Sequence, residues 1–220
     1  ELDDHDNEAR TYHQLGIVAQ EMREYAQARE FYQQALAILI EYGDRYSQAS
    51  TYHQLGRVAQ EMREYAQARE FYQQALAILI EYEDRYETAG TYHQLGIVAQ
   101  EMREYAQARE FYQQALAILI EYEDRYETAG TYHQLGIVAQ EMREYAQARE
   151  FYQQALAILI EYEDRYSQAL TYKNLGILAH LQENDQEARV NLQTALDIFI
   201  EYKDEYRANI TRENLEELPQ

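Results

Sequence analysis

Thirty-two residues, TYHQLGIVAQEMREYAQAREFYQQALAILIEY, fill positions 11–42 and return at 51, 91 and 131, changed only by Arg57 in place of isoleucine. A diverged copy starts at Thr171, so the period is 40 residues, and residues 87–126 recur letter for letter at 127–166. A period between about 20 and 50 residues marks a stacked array, because each unit is one supersecondary element that cannot bury its apolar face alone. Repeat counting therefore replaces domain counting: a single array over 1–220, with units at 4–43, 44–83, 84–123, 124–163 and 164–203. A tail at 204–218 spaces Tyr206, Ile210 and Leu215 among polar residues, which predicts an amphipathic helix covering the last unit.

Within a unit the apolar spacing is helical. Ala49, Tyr52, Leu55, Ala59 and Met62 recur at three- and four-residue steps. After a break at Arg63 and Glu64 the pattern resumes with Tyr65, Ala68, Tyr72, Ala75, Leu79 and Tyr82. Two helices of about 18 residues with short turns fill the period. Asp84 with Glu87 and Asp124 with Glu127 have capping-box spacing, while Asp44 and Asp164 can cap without that partner. The acidic stretch at 4–8 reads as the cap of the first helix, since it lacks the spacing and central glycine of a calcium loop. The sole proline is Pro219, so nothing breaks these helices, and the fold class is all-α, helix-turn-helix repeated.

Small residues Gly16, Ala28 and Ala35 let helices approach to roughly 8–10 Å, and Tyr12, Leu15, Tyr32 and Leu36 fill the space between them. These positions, with Tyr25, resemble the tetratricopeptide repeat family in order and spacing, and the fifth unit keeps Tyr172, Leu175, Gly176, Ala188 and Ala195. There are departures: Ala19 stands where the family has a tyrosine, Ile40 where it has a helix-ending proline, and the unit is longer than usual. Such long units resemble those of kinesin light chains and of bacterial signalling arrays. The resemblance implies a right-handed superhelical solenoid whose inner wall is built from the first helix of each hairpin.

Carried over residue by residue, that wall holds His13, Gln14, Ile17 and Gln20 in the first unit and His53, Gln54, Arg57 and Gln60 in the second. The third and fourth contribute His93, Gln94, Ile97 and Gln100, then His133, Gln134, Ile137 and Gln140; the fifth contributes Lys173, Asn174 and Ile177. The implied function is capture of a protein or peptide segment along this concave groove. Imidazole and amide groups suit a partner's backbone, isoleucines supply apolar area, and the Arg57 fork suits a carboxylate. A lysine- and asparagine-based carboxylate clamp is excluded, because His13, Ile17, Gln54, Gly90 and Gln94 occupy its positions. The histidines are either solvated copies of one duplicated residue or peptide contacts. Metal binding is not expected, since histidines on successive helix pairs stand a helix diameter apart while ligand nitrogens must lie about 2.0–2.1 Å from one ion.

Catalysis finds no foothold. The chain has no cysteine, no glycine-rich phosphate loop and no HExxH, and each repeated residue recurs in the same surroundings, whereas an active site needs one asymmetric constellation. The expectation is a non-enzyme without cofactors. With 40 Asp and Glu against 19 Lys and Arg, nucleic acid and anionic membrane would be repelled, and a cationic or apolar partner is favoured. Absent cysteine, an apolar run of membrane length or a basic leader, a soluble chain of the cytoplasm is expected. A rival reading remains. From Thr11 onward the first unit equals an interior one, so its outward face should be as adhesive as an internal joint, allowing head-to-tail self-assembly.

Overall fold

The computed structural model describes the backbone of residues 2–219 and the side chains of residues 7–219. Among them are eleven α-helices and no strand. The chain divides into two compact units, residues 1–118 and 119–220, with the boundary inside the sixth helix.

The first unit holds α1 (Leu2–Glu21), α2 (Tyr25–Glu41), α3 (Arg45–Glu61), α4 (Tyr65–Glu81), α5 (Arg85–Glu101) and most of α6 (Tyr105–Glu121). The second continues with α7 (Arg125–Glu141), α8 (Tyr145–Glu161), α9 (Arg165–Leu181), α10 (Asp185–Glu201) and α11 (Glu205–Glu216). Odd-numbered helices carry the TYHQLG string or its counterpart, and even-numbered helices from α2 to α8 carry the AREFYQQ string. The backbone is already helical at Leu2, so Asp4 lies inside α1 and not ahead of it; its side chain falls outside the described residues.

Three-residue turns end each helix without proline and almost without glycine. Arg63 adopts φ 59° and Glu83 φ 55°, and Gly43 alone brings a glycine to this left-handed position, at φ 73°. Glu64 N donates to Ala59 O at 2.8 Å and Asp84 N to Leu79 O at 2.9 Å, satisfying carbonyls that the helix end leaves open. From α3 on, the odd helices then start on a carboxylate cap: Asp44 accepts from Ser47 N at 3.1 Å and Asp84 from Glu87 N at 3.2 Å. Asn184 caps α10 in the same way, accepting from Glu187 N at 3.3 Å, but α2, α4 and α8 start differently. Glu64 makes no cap bond, and its carboxylate instead pairs with Arg29 on the preceding hairpin.

The core lies at the joints between hairpins. In the first unit, Ala28 and Tyr32 of α2 pack with Leu55 and Val58 of α3, and Ala68 and Tyr72 of α4 pack with Leu95 and Val98 of α5. In the second, Ala148 and Tyr152 of α8 pack with Leu175 and Leu178 of α9. Each fully buried side chain of this size contributes about 1.5–3 kcal/mol. The glycine of the first helix makes room for a ring: a Cβ on Gly56 would sit 2.7 Å from the Tyr72 ring. The last joint is closed by α11, where Ala208 and Leu215 pack against Ala169, Phe199 and Leu196, and by Leu218 just after it, which packs against Ala179, Ala188 and Leu192.

Candidate binding surface on the first helices

The residues predicted to form a ligand-facing wall fall into two groups. In the first are side chains already held within the fold. His13 Nδ1 lies 3.3 Å from Thr51 Oγ1, His53 Nδ1 3.3 Å from Thr91 Oγ1, and His133 Nδ1 3.0 Å from Thr171 Oγ1. Each threonine spends its own hydrogen on a carbonyl one turn back: Thr51 on Ser47 O, Thr91 on Glu87 O, Thr171 on Ser167 O. The threonine oxygen is therefore the acceptor, and Nδ1 carries the imidazole proton. The same rings meet tyrosine edges, His13 on Tyr32 at 5.3 Å and His53 on Tyr72 at 5.2 Å.

These histidines are not solvated copies. Burial drives the pKa of His53, His93 and His133 down to about 4, helped at His53 by Arg57 and at His133 by Lys173. His13, less deeply set, is lowered by the same cause. The glutamines at the next-to-last position of these helices are engaged too. Tyr32 Oη donates to Gln20 Oε1 and Tyr72 Oη to Gln60 Oε1, each at 3.1 Å; Tyr112 pairs with Gln100 at 3.2 Å and Tyr152 with Gln140 at 3.3 Å. Burial pushes Tyr32 up to about 12 and Tyr72 higher still.

The second group stays accessible. Gln14 and Arg57 are exposed, and Ile17, Gln54, Gln94, Ile97, Gln134, Ile137 and Ile177 are half-buried. Ile17, Gln20, Gln54 and Arg57 meet in a cleft of about 410 Å³ between α1 and α3, with Glu21, Arg23, Tyr25 and Glu61 around it. The Arg57 guanidinium reaches Gln54 Oε1 at 3.4 Å. In the second unit Asn174 Nδ2 lies 3.2 Å from His133 Nε2, and burial lowers the pKa of the Lys173 ammonium.

The tyrosines divide sharply: Tyr32, Tyr72, Tyr112 and Tyr152 are wholly buried, while Tyr42, Tyr46, Tyr82, Tyr86, Tyr126, Tyr162, Tyr202 and Tyr206, along the turn edge, are all exposed. Tyr46 Oη donates to Asp84 Oδ2 at 2.6 Å, the oxygen that the helix cap leaves over. Only the 38-residue spacing of Tyr46 to Asp84, repeated from Tyr126 to Asp164, could have signalled it.

Helical hairpins whose second helix carries a wholly buried tyrosine in the first four repeats, Tyr32, Tyr72, Tyr112 and Tyr152, define a tandem-repeat scaffold. The Tetratricopeptide repeat family model matches residues 1–41, 43–121 and 127–201, and the chain belongs to that family. Such a scaffold is a general protein-interaction module. No curated protein sequence matches the chain. Among solved structures it is similar to BtubC (BKLC) from P. vanneervenii, with TM-score 0.78 and 22% identity over 86% of this chain and 78% of the other. It is also similar to the nearly identical TPR-like repeats of a kinesin light chain-type protein from Podosopora anserina, with TM-score 0.73 and 21% identity over 88% and 95%. A Rap protein complexed with Competence and Sporulation Factor gives TM-score 0.76 and 17% identity over 93% of this chain, which spans 57% of that one. At these identities the likeness is one of fold. No described helix is long and apolar enough to cross a membrane.

Proposed function

We propose that the chain is a non-catalytic scaffold that takes a protein or peptide segment against its first helices, each 40-residue unit acting as one station. Within the first unit the segment lies on α1, α3 and α5; within the second it lies on α7 and α9. The observation that carries this reading is the cleft between α1 and α3, where Ile17, Gln20, Gln54 and Arg57 meet around about 410 Å³ of accessible space. It combines the apolar Ile17 and the Tyr25 ring with amides for backbone pairing, the donor forks of Arg23 and Arg57, and the carboxylates of Glu21 and Glu61, a set of groups suited to a mixed polar segment. The fold neighbour solved with Competence and Sporulation Factor offers an analogy for partner capture by such an array. The half-buried histidines steady the wall through their bonds to Thr51 and Thr91.

A phage-displayed random peptide library panned on the protein tests this, with Gln54→Ala/Arg57→Ala as the comparison. Selected peptides are expected to lose at least about ten-fold in affinity for the double variant, equivalent to 1.4 kcal/mol, with no change in thermal midpoint. Failure to select any peptide, or equal binding to both proteins, would overturn the reading.

Self-assembly is a second reading, favoured by the exposed Leu15 and Val18 on α1 and Met22 in the turn after it (40%, 51% and 63%). Head-to-tail stacking also needs an open even-helix face at the other end, and α11 covers that of α10. Light scattering across concentration separates the two readings, since a strict monomer at high micromolar concentration defeats assembly.

A further inference from the structure

The turn after each even helix repeats the string Tyr-x-Asp-Arg-Tyr at 42–46, 82–86, 122–126 and 162–166, ending as Tyr-Lys-Asp-Glu-Tyr at 202–206. Three sites built from it share one geometry. In the first unit the Tyr46 ring lies 5.4 Å from the Tyr82 ring, inclined at 51°, and its hydroxyl donates to Asp84. In the second unit Tyr126 and Tyr162 stand 5.6 Å apart at the same angle with Tyr126 donating to Asp164 at 2.8 Å. Tyr166 and Tyr202 stand 5.5 Å apart, again at 51°, with Tyr166 donating to Asp204 at 2.6 Å.

The last of the three is occupied by the chain's own arginine. Arg207 Cζ lies 5.6 Å from the Tyr166 ring centroid, and Nη1 donates to Tyr166 Oη at 2.7 Å and to Asp204 Oδ2 at 2.8 Å. A guanidinium meets all the demands of such a notch: a planar cation for the ring face and donors for both oxygens. One period earlier Ser167 takes the place of Arg207, and three periods earlier Glu87 does. At Tyr46 the same notch therefore carries an added carboxylate where the filled copy carries its cation. Its rings are about half exposed, Tyr46 and Tyr82 each 47%. Arg45, the neighbouring cation, is directed to Glu81 and Gln48. The hydrogen bond to Asp84 and that carboxylate's charge raise the pKa of the Tyr46 phenol, and the charge of Glu87 acts in the same direction.

We propose that the Tyr46–Tyr82–Asp84 notch binds the guanidinium of an arginine side chain presented by a partner protein or peptide, as Tyr166–Tyr202–Asp204 binds Arg207. The excess of acidic residues, 40 against 19, draws such a partner in. Lysine fits less well, because a point ammonium cannot lie flat on the ring while donating to both oxygens. This site joins Tyr46, at the start of α3, to the turn between α4 and α5, and shares no residue with the Ile17–Gln20–Gln54–Arg57 cleft.

The test uses acetyl-Gly-Arg-Gly-amide and acetyl-Gly-Lys-Gly-amide, with tyrosine ring resonances followed by NMR. The arginine peptide is expected to shift the Tyr46 and Tyr82 rings saturably, and the lysine peptide to bind about ten-fold more weakly, a 1.4 kcal/mol difference. Glu87→Arg should fill the notch from within and abolish the Tyr46 response while Tyr126 still responds. Arg207→Ser, which installs the residue found one period earlier, should create a new response at Tyr166. Equal shifts with both peptides, or a Tyr46 response untouched by Glu87→Arg, would overturn the proposal.

Discussion

Residues 15–22 and 55–62 differ at one position, yet they live in different solvents. Leu55 and Val58 of α3 are 1% and 0% exposed because Ala28 and Tyr32 of α2 press on them; Leu15 and Val18 of α1, at 40% and 51%, have no such neighbour. The far end of the chain makes the opposite choice. There Ala208 of α11 seals Phe199 and Leu218 just beyond it seals Leu192, while α11 presents Arg212, Glu213 and Glu216 outward. In an array, burial belongs to the joint and not to the string of letters, so stability is carried by nearest-neighbour interfaces.

The largest test of that contrast is a pair of truncations. Leu55→Ala should cost about 2–5 kcal/mol in denaturant unfolding, since it empties a packed joint, while Leu15→Ala should cost under about 1 kcal/mol. Equal costs would mean that the α1 face is covered in solution.

Acidification sharpens the same comparison. The unfolded chain takes up histidine protons near pH 6.5, whereas folded His53, His93 and His133 resist until about pH 4. Between those values the unfolded state binds more protons. Stability therefore falls steadily as pH drops from 6.5 to about 4, and these groups remove nothing further below that. In NMR titration His13, on the open helix, should protonate at higher pH than His53, behind the α2 joint.

The smallest effect is expected at the turns. Glu83 holds φ 55° at a position where Gly43 stands one period earlier. Glu83→Gly should raise the unfolding free energy by up to about 1 kcal/mol, through relief of the left-handed backbone. Gly43→Glu should lower it by a similar amount.

Much of the fold was legible because one string repeats. The three- and four-residue steps from Ala49 to Tyr82 place both helices, and the aspartates announce the odd-helix caps that Ser47 N and Glu87 N complete. The left-handed turn at Arg63 was not legible, because arginine carries no preference for that conformation and only the packing on either side imposes it. The wall was legible as a set of positions but not as a set of roles. Periodicity puts His53 and Arg57 one turn apart on one helix. It does not say that the imidazole is consumed by Thr91, 38 residues on, while the guanidinium points into a cleft. Bonds such as Arg29 to Glu64 and Tyr46 to Asp84 cross between hairpins and depend on the stacking register, which no single unit records.

The absence of cysteine allows the joint itself to be probed directly. Val18→Cys and Val58→Cys, as separate single variants at low protein concentration, place one thiol at equivalent positions of α1 and α3. The Val18→Cys thiol should react with a small alkylating reagent at a rate close to that of a free peptide. The Val58→Cys thiol should react more slowly by a factor on the order of a hundred, since it must wait for the joint to open. Similar rates at the two positions would contradict the claim that neighbouring hairpins, and not the repeated sequence, decide what is buried.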